Sequence, residues 1–286
     1  MSLLPSASVL QKTLYSALPD FASIAWVEQI GSTNVNLMQE VRNTQSAMGR
    51  PALLGAHTQT SGRGRAGRRW QDTPGSTLMF SCAYDVFVPP ARLPMLAPVV
   101  GIVACEQLRK IAGPAVQDRL LMKWPNDILY DQAKLSGLLV ESTRPVHRES
   151  QHHHVVIVGM GMNLSSAVEL TQHLGRKVAD WTSVLGDMSE DSGRSEDIAL
   201  LVARIARAWR DAFAQYEQQG FAAFMARHAQ IDALREQQVN VIQDERIVLS
   251  GAARGVNQDG CLLVECAGRQ HPITIGDISI RPEGQD

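Results

Sequence analysis

Apolar positions recur along the chain in two rhythms. In residues 8–18, Leu10, Leu14 and Leu18 fall at i, i+4 and i+8, the spacing of a helix that buries one stripe. Residues 24–30 read as a strand. Gly31-Ser32-Thr33-Asn34 breaks it and caps a helix that begins near Val35. Residues 53–59 and 77–86 are further strands. Between them, residues 61–75 hold four glycines, four arginines and one proline, so this stretch is predicted as loop. An apolar helix over 93–110 is stopped by Gly113-Pro114. A short strand at 120–123 is cut off by Pro125-Asn126-Asp127, Asp131 turns the chain, and 135–142 is again extended. Residues 155–158 form a buried strand ending at Gly159. The clearest helix covers 198–216, where Leu201, Ile205, Trp209, Phe213 and Tyr216 share a face and Gly220 follows. Residues 143–154, 186–194 and 282–286 read as surface loop or tail.

From Gln237 the texture changes. Strand-like pieces at 239–242, 247–250, 261–264, 273–275 and 278–280 are short, and Asp259-Gly260 marks a hairpin turn. That spacing predicts a small β-barrel of about 50 residues. The expected domains are therefore 1–236 and 237–286 of a 286-residue chain.

Composition narrows the function. Hydrophobic residues make up 44% and charged residues 20%, ordinary for a chain with a buried core. Lys and Arg total 27 against 29 Asp and Glu, a formal net charge of -2. Such near-neutrality argues against a protein that coats nucleic acid. Cys82, Cys105, Cys261 and Cys266 form no C-x-x-C pair or zinc-finger spacing, so free thiols are expected. The most apolar windows, 93–105 and 155–164, fall short of the ~20 residues of a membrane helix. No targeting segment is evident, and a cytoplasmic protein is expected. His152, His153 and His154 read as part of a solvated loop rather than a metal site.

Three segments carry candidate chemistry. Gly62-Arg63-Gly64-Arg65-Ala66-Gly67-Arg68-Arg69-Trp70 contains a formal G-x-G-x-x-G. A dinucleotide fingerprint needs a helix to start there, and Gln71-Asp72-Thr73-Pro74-Gly75 will not make one. A NAD-dependent oxidoreductase is set aside on that ground. The glycines instead let backbone N–H groups approach a ligand, and the arginines offer fork donors to carboxylate or phosphate. This suits a flap that is mobile when empty and ordered by an anion. The second segment is Lys123-Trp124-Pro125-Asn126-Asp127, followed by Lys134-Leu135-Ser136-Gly137. A carboxylate beside lysines suits Mg²⁺-nucleotide chemistry or orientation of an attacking amine. The third is Gly159-Met160-Gly161-Met162-Asn163, where glycines permit close approach and Asn163 offers hydrogen bonds to a base or ribose.

Taken together, the order and spacing of Gly31 to Asn34, Gly62 to Trp70, Lys123 to Asp127, Lys134 to Gly137 and Gly159 to Asn163 resemble the biotin protein ligases. The resemblance spans about residues 24–181 and the small β domain. It implies an α+β fold: a mixed, largely antiparallel sheet, class II synthetase-like, with helices on one face, plus a C-terminal SH3-like barrel. It implies an ATP-dependent ligase that forms biotinyl-5′-AMP and passes biotin to a lysine of a biotin carboxyl carrier protein of acetyl-CoA carboxylase. Biotin and ATP are the substrates and Mg²⁺ the cofactor. By the same resemblance, Ser32, Thr33, Asn34, Gln59, Arg63, Gly64, Arg65, Lys134 and Gly137 line the biotin site. Arg68, Trp70, Lys123, Asn126, Asn163 and Trp181 serve ATP, and Lys134, Arg65 and Asp127 are catalytic, Asp127 with a possible role on Mg²⁺. Thirty residues precede Gly31, about half what a helix-turn-helix needs, so no DNA-binding repressor function is expected. No membrane partner is expected, and the chain is a monomer or homodimer. A lipoate-type protein ligase is the nearest enzyme alternative. A non-catalytic anion- or ligand-binding module is the alternative of another class.

Overall fold

The computed structural model describes residues 4–43, 45–46, 48–70, 75–188, 197–275 and 278–282. Leu10, Leu14 and Leu18 are fully buried on or just beyond α1 (Ala7–Ala17), as their spacing requires. Strand β1 (Ser23–Ile30) leads through α2 (Thr33–Arg42) to β2 (Ala52–Gln59). The helix returns the chain to the start of the sheet, so β1 and β2 pair in parallel. Ser32 takes the N-cap position, two residues earlier than expected, without a side-chain capping bond. β3 (Thr77–Phe87), α3 (Leu96–Ala112), β4 (Leu120–Lys123), β5 (Asp127–Tyr130), β6 (Ala133–Thr143) and β7 (His153–Asn163) follow. The seven strands lie in the order β1-β2-β3-β7-β6-β5-β4, and every pair after the first is antiparallel. The sheet is therefore mixed and largely antiparallel, as expected.

Alternation along the central strands divides the sheet into two faces. Phe80, Cys82, Tyr84, Val156 and Val158 join the main core under α1, α3 and α6 (Ile198–Gln219). Trp209 of α6 stacks on Phe80 with ring centroids 5.6 Å apart and donates from Nε1 to Val100 O at 3.0 Å. Ala83, Val155 and Ile157 point the other way and pack with Leu37 and Val41 of α2 in a second, smaller core. Helices thus cover both faces, not one. α2 is short and leaves the end of its face toward Thr77 and Asn163 uncovered by helix.

Two strand predictions are corrected. β7 does not end at Gly159 but runs on to Asn163, and it starts at His153, inside the expected loop. His153 and His154 are buried; His153 Nε2 lies 2.7 Å from Asp85 Oδ1 and its ring stacks on Phe87. Among the described residues no group of three or more His, Cys, Asp or Glu is placed to hold a metal. α3 with the turn before it, Pro90–Ala112, is 23 residues long and its most apolar window has mean hydropathy 1.3, enough by length and composition to cross a membrane, yet 61% of that window is buried inside the protein. α4 (Ala167–Leu174), α5 (Trp181–Asp187) and α7 (Met225–Ala229) follow among the described residues, with the last two residues of α5 reaching into the predicted 186–194 loop. Residues 189–194 and 283–286 of the predicted loops lie outside the described residues.

The C-terminal strands β8 (Gln238–Gln243), β9 (Arg246–Val256), β10 (Leu262–Cys266), β11 (Arg269–Ile273) and β12 (Ile278–Pro282) form a second, antiparallel sheet in the order β11-β10-β9-β8-β12. Its turn at Gly260 presses on the first unit. A Cβ there would lie 2.9 Å from Met95 Sδ and from the Phe221 ring, and φ is +85°. Trp124, buried behind Lys123, donates from Nε1 to Gly260 O at 3.2 Å. Trp124→Phe removes this bond and leaves part of the buried indole volume empty. The variant should lose about 2–3 kcal/mol of unfolding free energy, measured by urea denaturation at unchanged m-value.

Candidate active site

The open end of the α2 face has a floor without side chains. Gly159 and Gly161 are same-face neighbours on β7, and Gly137 of β6 pairs directly with Gly161. A Cβ on Gly159 would lie 2.3 Å from Asn34 Oδ1, and one on Gly161 2.5 Å from the Trp70 indole. A Cβ on Gly137 would come within 3.1 Å of both Trp70 and Lys134 Nζ. These glycines therefore do not terminate the strand. They let two long-range partners lie flat on it.

Over Gly159 sits a buried polar network. Ser32, Thr33 and Asn34 occupy the N-terminal turn of α2 and are at most 6% exposed. Gln59 Oε1 accepts from the Thr33 N–H at 2.8 Å, and Gln59 Nε2 donates to Met79 Sδ at 3.2 Å. Thr33 Oγ1 and Ser81 Oγ are 2.6 Å apart. Ser81 Oγ donates to Asn34 Oδ1 at 2.6 Å, and Asn34 Nδ2 donates to Glu141 Oε2 at 2.9 Å.

Over Gly161 and Gly137 sits the cationic part. Lys134 Nζ is 2.6 Å from Asp127 Oδ1 and 5.8 Å from the Trp70 ring centroid. Asp127 begins β5, opposite both Lys123 and Gly137. Burial pushes the Lys123 ammonium below the ordinary lysine value; Lys134, Arg281 and Arg176 add to this, and Asp127 opposes it. Arg65 Nη1 donates to Asn126 Oδ1 at 3.1 Å, and Asn126 Nδ2 donates to Leu138 O at 2.6 Å. Trp124-Pro125 is a cis peptide bond, which turns the chain between Lys123 and Asn126.

The arginine-glycine loop is folded back on itself in this structure. Gly64 N–H donates to Arg68 O at 2.7 Å and Trp70 N–H to Gly62 O at 3.0 Å, around a 3₁₀ turn at Arg65–Gly67. The Gly64 amide is thus engaged within the loop rather than offered to a ligand. Arg63 and Arg68 are exposed, and Arg65 is half-buried. Residues 71–74 lie outside the described residues.

Asn163 and Trp181 are both tied into the fold. Asn163 Nδ2 donates to Ala179 O at 3.0 Å and to Lys134 O at 3.3 Å, so it ties β7 to the segment entering α5. Trp181 is fully buried in the main core, and its Nε1 has no hydrogen-bond partner among the described residues. The same holds for the buried Nε1 of Trp70. Ser81, Glu141, Arg176 and Arg281 belong to the site or its cationic surroundings and were missed. Ser81 is a polar residue inside the apolar run of β3, the one signal that could have drawn attention to it; Glu141 stands beside Ser142 and Thr143 at the polar end of β6 and gives no such contrast. Arg176 and Arg281 lie in polar stretches that give no such contrast.

Residues 26–163 match the biotin/lipoate A/B protein ligase family, and residues 236–281 match the biotin protein ligase C-terminal domain. Over 263 residues the chain is 31% identical to the bifunctional ligase/repressor BirA of Escherichia coli (strain K12), covering 92% of this chain and 75% of BirA. It is 30% identical over 256 residues to the biotin--[acetyl-CoA-carboxylase] ligase of Mycobacterium tuberculosis, covering 88% of this chain and 86% of that protein. The fold matches that of the Aquifex aeolicus biotin protein ligase solved in complex with biotin and ATP, with a TM-score of 0.70 at 22% identity, covering 92% of this chain and all of that one. Fold and site define a protein-modifying ligase of the biotin/lipoate class. Within that class, the chain belongs to the biotin protein ligase family.

The glycine floor generates a prediction that does not depend on chemistry. Gly161→Ala should lift Trp70 and raise its solvent access, seen as increased acrylamide quenching of tryptophan fluorescence. The increase should vanish when the same substitution is made in a Trp70→Phe background.

Proposed function

We propose that the chain activates biotin with ATP to biotinyl-5′-AMP and pyrophosphate, then transfers biotin to a lysine of a biotin carboxyl carrier protein. The single observation that carries this reading is the adjacency on one sheet face of the Thr33–Gln59–Ser81–Asn34 network and the Lys134–Asp127 pair. Gly159 and Gly161 are two residues apart, so the centres of the two parts are on the order of 7 Å apart. A buried set of directional donors and acceptors suits the ureido ring. A cation held beside it suits the carboxylate that must meet a phosphate. In this reading Ser32, Thr33, Asn34, Gln59, Arg63, Gly64, Arg65, Lys134 and Gly137 serve biotin, and Arg68, Trp70, Lys123, Asn126, Asn163 and Trp181 serve ATP. The first unit, 1–236, carries the chemistry, and 237–286 forms the SH3-like unit.

Adenylation brings two anions together. Lys134, Arg65 and Arg68 offset that repulsion and the charge that develops at the α-phosphate. The salt bridge to Asp127 holds Lys134 Nζ on the floor beside Gly137, so little reorganisation is needed when substrate arrives. Trp70 and the folded loop exclude water from a mixed anhydride that hydrolyses readily. Asp127 supplies one carboxylate to this cluster. Mg²⁺ is commonly held by one or two carboxylates with phosphates and water, so the donor set fits an ion brought with ATP, where it would supply charge neutralisation. In the transfer step Asp127 accepts or orients a proton of the attacking amine. The buried thiols of Cys82, Cys105 and Cys261 suit a reducing, cytoplasmic compartment.

Biotin-dependent exchange between ATP and pyrophosphate, followed by transfer to a carrier domain, tests the reading. Exchange driven by lipoate instead would sink it. Asp127→Asn should slow transfer more than adenylation in single-turnover assays, by about tenfold or more; equal losses would point to a metal or structural role. Arg65→Gly removes the contact to Asn126 and should release the adenylate, so that bystander proteins become biotinylated on lysines. Labelling that stays confined to the carrier lysine would refute the closure role of the loop.

A further inference from the structure

We propose that Glu141 is a positioning residue that sets which way the hydrogen bonds of the biotin pocket point, acting through Asn34 and Ser81 on the hydroxyl of Thr33. The proposal rests on the reading above that Thr33 and Gln59 meet the ureido ring.

Glu141 lies on β6, half-buried, opposite Ile157 of β7. An ionised carboxylate accepts hydrogen bonds and has none to donate. Asn34 Nδ2 is 2.9 Å from Glu141 Oε2, so the carboxylate draws the amide nitrogen and turns the amide oxygen away. That oxygen lies 2.6 Å from Ser81 Oγ, which must donate to it. Ser81 has one hydroxyl hydrogen, so across the 2.6 Å to Thr33 Oγ1 it can only accept. Thr33 therefore donates to Ser81. The alternative donation from Thr33 Oγ1 to Gln59 Oε1, at 3.2 Å, needs the same hydrogen. Gln59 Oε1 already accepts the Thr33 N–H at 2.8 Å.

The direction of each bond follows from the one before it, starting at the carboxylate. Its outcome is that the Thr33 hydroxyl shows a lone pair to the pocket. This matches a ureido N–H and opposes a ligand acceptor. Ser81 is fully buried and Asn34 and Thr33 are each 3% exposed, so water has little access to reverse the chain. Asn34 Oδ1 is also confined sterically, lying where a Gly159 Cβ would be at 2.3 Å. With glutamine at 141, the amide can offer either an oxygen or an NH₂ to Asn34. The chain can then run in either direction, and Thr33 is free to donate outward.

The probes are the cyclic carbamate analogues of biotin in which one or the other ureido N–H is replaced by oxygen, a donor exchanged for an acceptor. The intact chain should prefer biotin in kcat/KM for pyrophosphate exchange over the analogue altered at the Thr33 side by about a hundredfold or more. Glu141→Gln and Ser81→Ala should each reduce that preference about tenfold, with KM for ATP changed less than about twofold. Thermal midpoints close to that of the unaltered chain would establish folding, and Ser81→Ala serves as the second probe should Glu141→Gln fold poorly. A merely structural role lowers activity on biotin and analogue together and leaves the ratio where it was. Thr33→Val distinguishes the two layers of inference. If it abolishes the preference while Glu141→Gln and Ser81→Ala retain it, the relay is overturned and the ring placement stands. If Thr33→Val retains the preference too, or the unaltered chain shows none, both fall.

Discussion

The absence of side chains on one strip of sheet is the constraint on which the site depends. Gly137, Gly159 and Gly161 lie on adjacent antiparallel strands with their missing side chains on the same face. Glycine in a strand interior gives up packing and costs conformational entropy. Here the lost volume is refilled by Asn34, Trp70 and Lys134, which come from a helix start, a loop and a strand end. The strip therefore converges residues far apart in sequence onto one floor. It also keeps the backbone low enough for polar side chains to lie against it, where larger residues would have built an ordinary hydrophobic layer under a longer α2.

Charge follows the same economy of space. A chain of net charge -2 brings Lys134, Arg281 and Arg176 near enough to Lys123 to act on it, with Asp127 as the opposing carboxylate. Burial first, and then the repulsion from Lys134, Arg281 and Arg176, lowers the affinity of Lys123 for its proton. Such a cluster is unfavourable on its own and is relieved by an anion carrying several charges. The Lys134–Asp127 contact limits the strain by pairing one cation directly. The near-neutral total and the local excess of positive charge are thus compatible, because the excess is confined to the rim of one floor.

Much of this was legible in the residues and some of it was not, for identifiable reasons. The stripe Leu10, Leu14, Leu18 and the stripe on α6 follow helical spacing and are buried as such. The loop from Gly62 to Trp70 and the segment from Lys123 to Asp127 stand out by composition, and the structure joins them through Arg65 and Asn126. β7 was cut short because two glycines in a strand normally signal an end. Their actual reason is Trp70, 91 positions earlier than Gly161, and Asn34, 125 positions earlier than Gly159. No local rule contains that information. His153 was misread for a similar cause: its partner Asp85 is 68 residues away. Ser81 and Glu141 carry no motif at all. They acquire meaning only once β3, β7 and β6 are placed side by side.

The second sheet takes part in the same construction through its turn. Gly260 can approach Met95 and Phe221 because it has no Cβ, and its carbonyl accepts the indole N–H of Trp124. Trp124 separates Lys123 from the cis bond to Pro125, so the contact bears on the bend that presents Asn126 and Asp127. On the other side of Lys123, Met122 exchanges backbone hydrogen bonds with Ile231 and Ala233, just before the C-terminal strands begin. β4 is an edge strand only four residues long. A short edge strand alone would hold the charged bend loosely. Here the 231–233 segment bonds along its backbone and Gly260 meets the residue beyond its end, on the way to Asp127, which lies 2.6 Å from Lys134. The C-terminal unit therefore touches the bend between β4 and the strand that begins with Asp127, and Arg281 adds positive charge near Lys123.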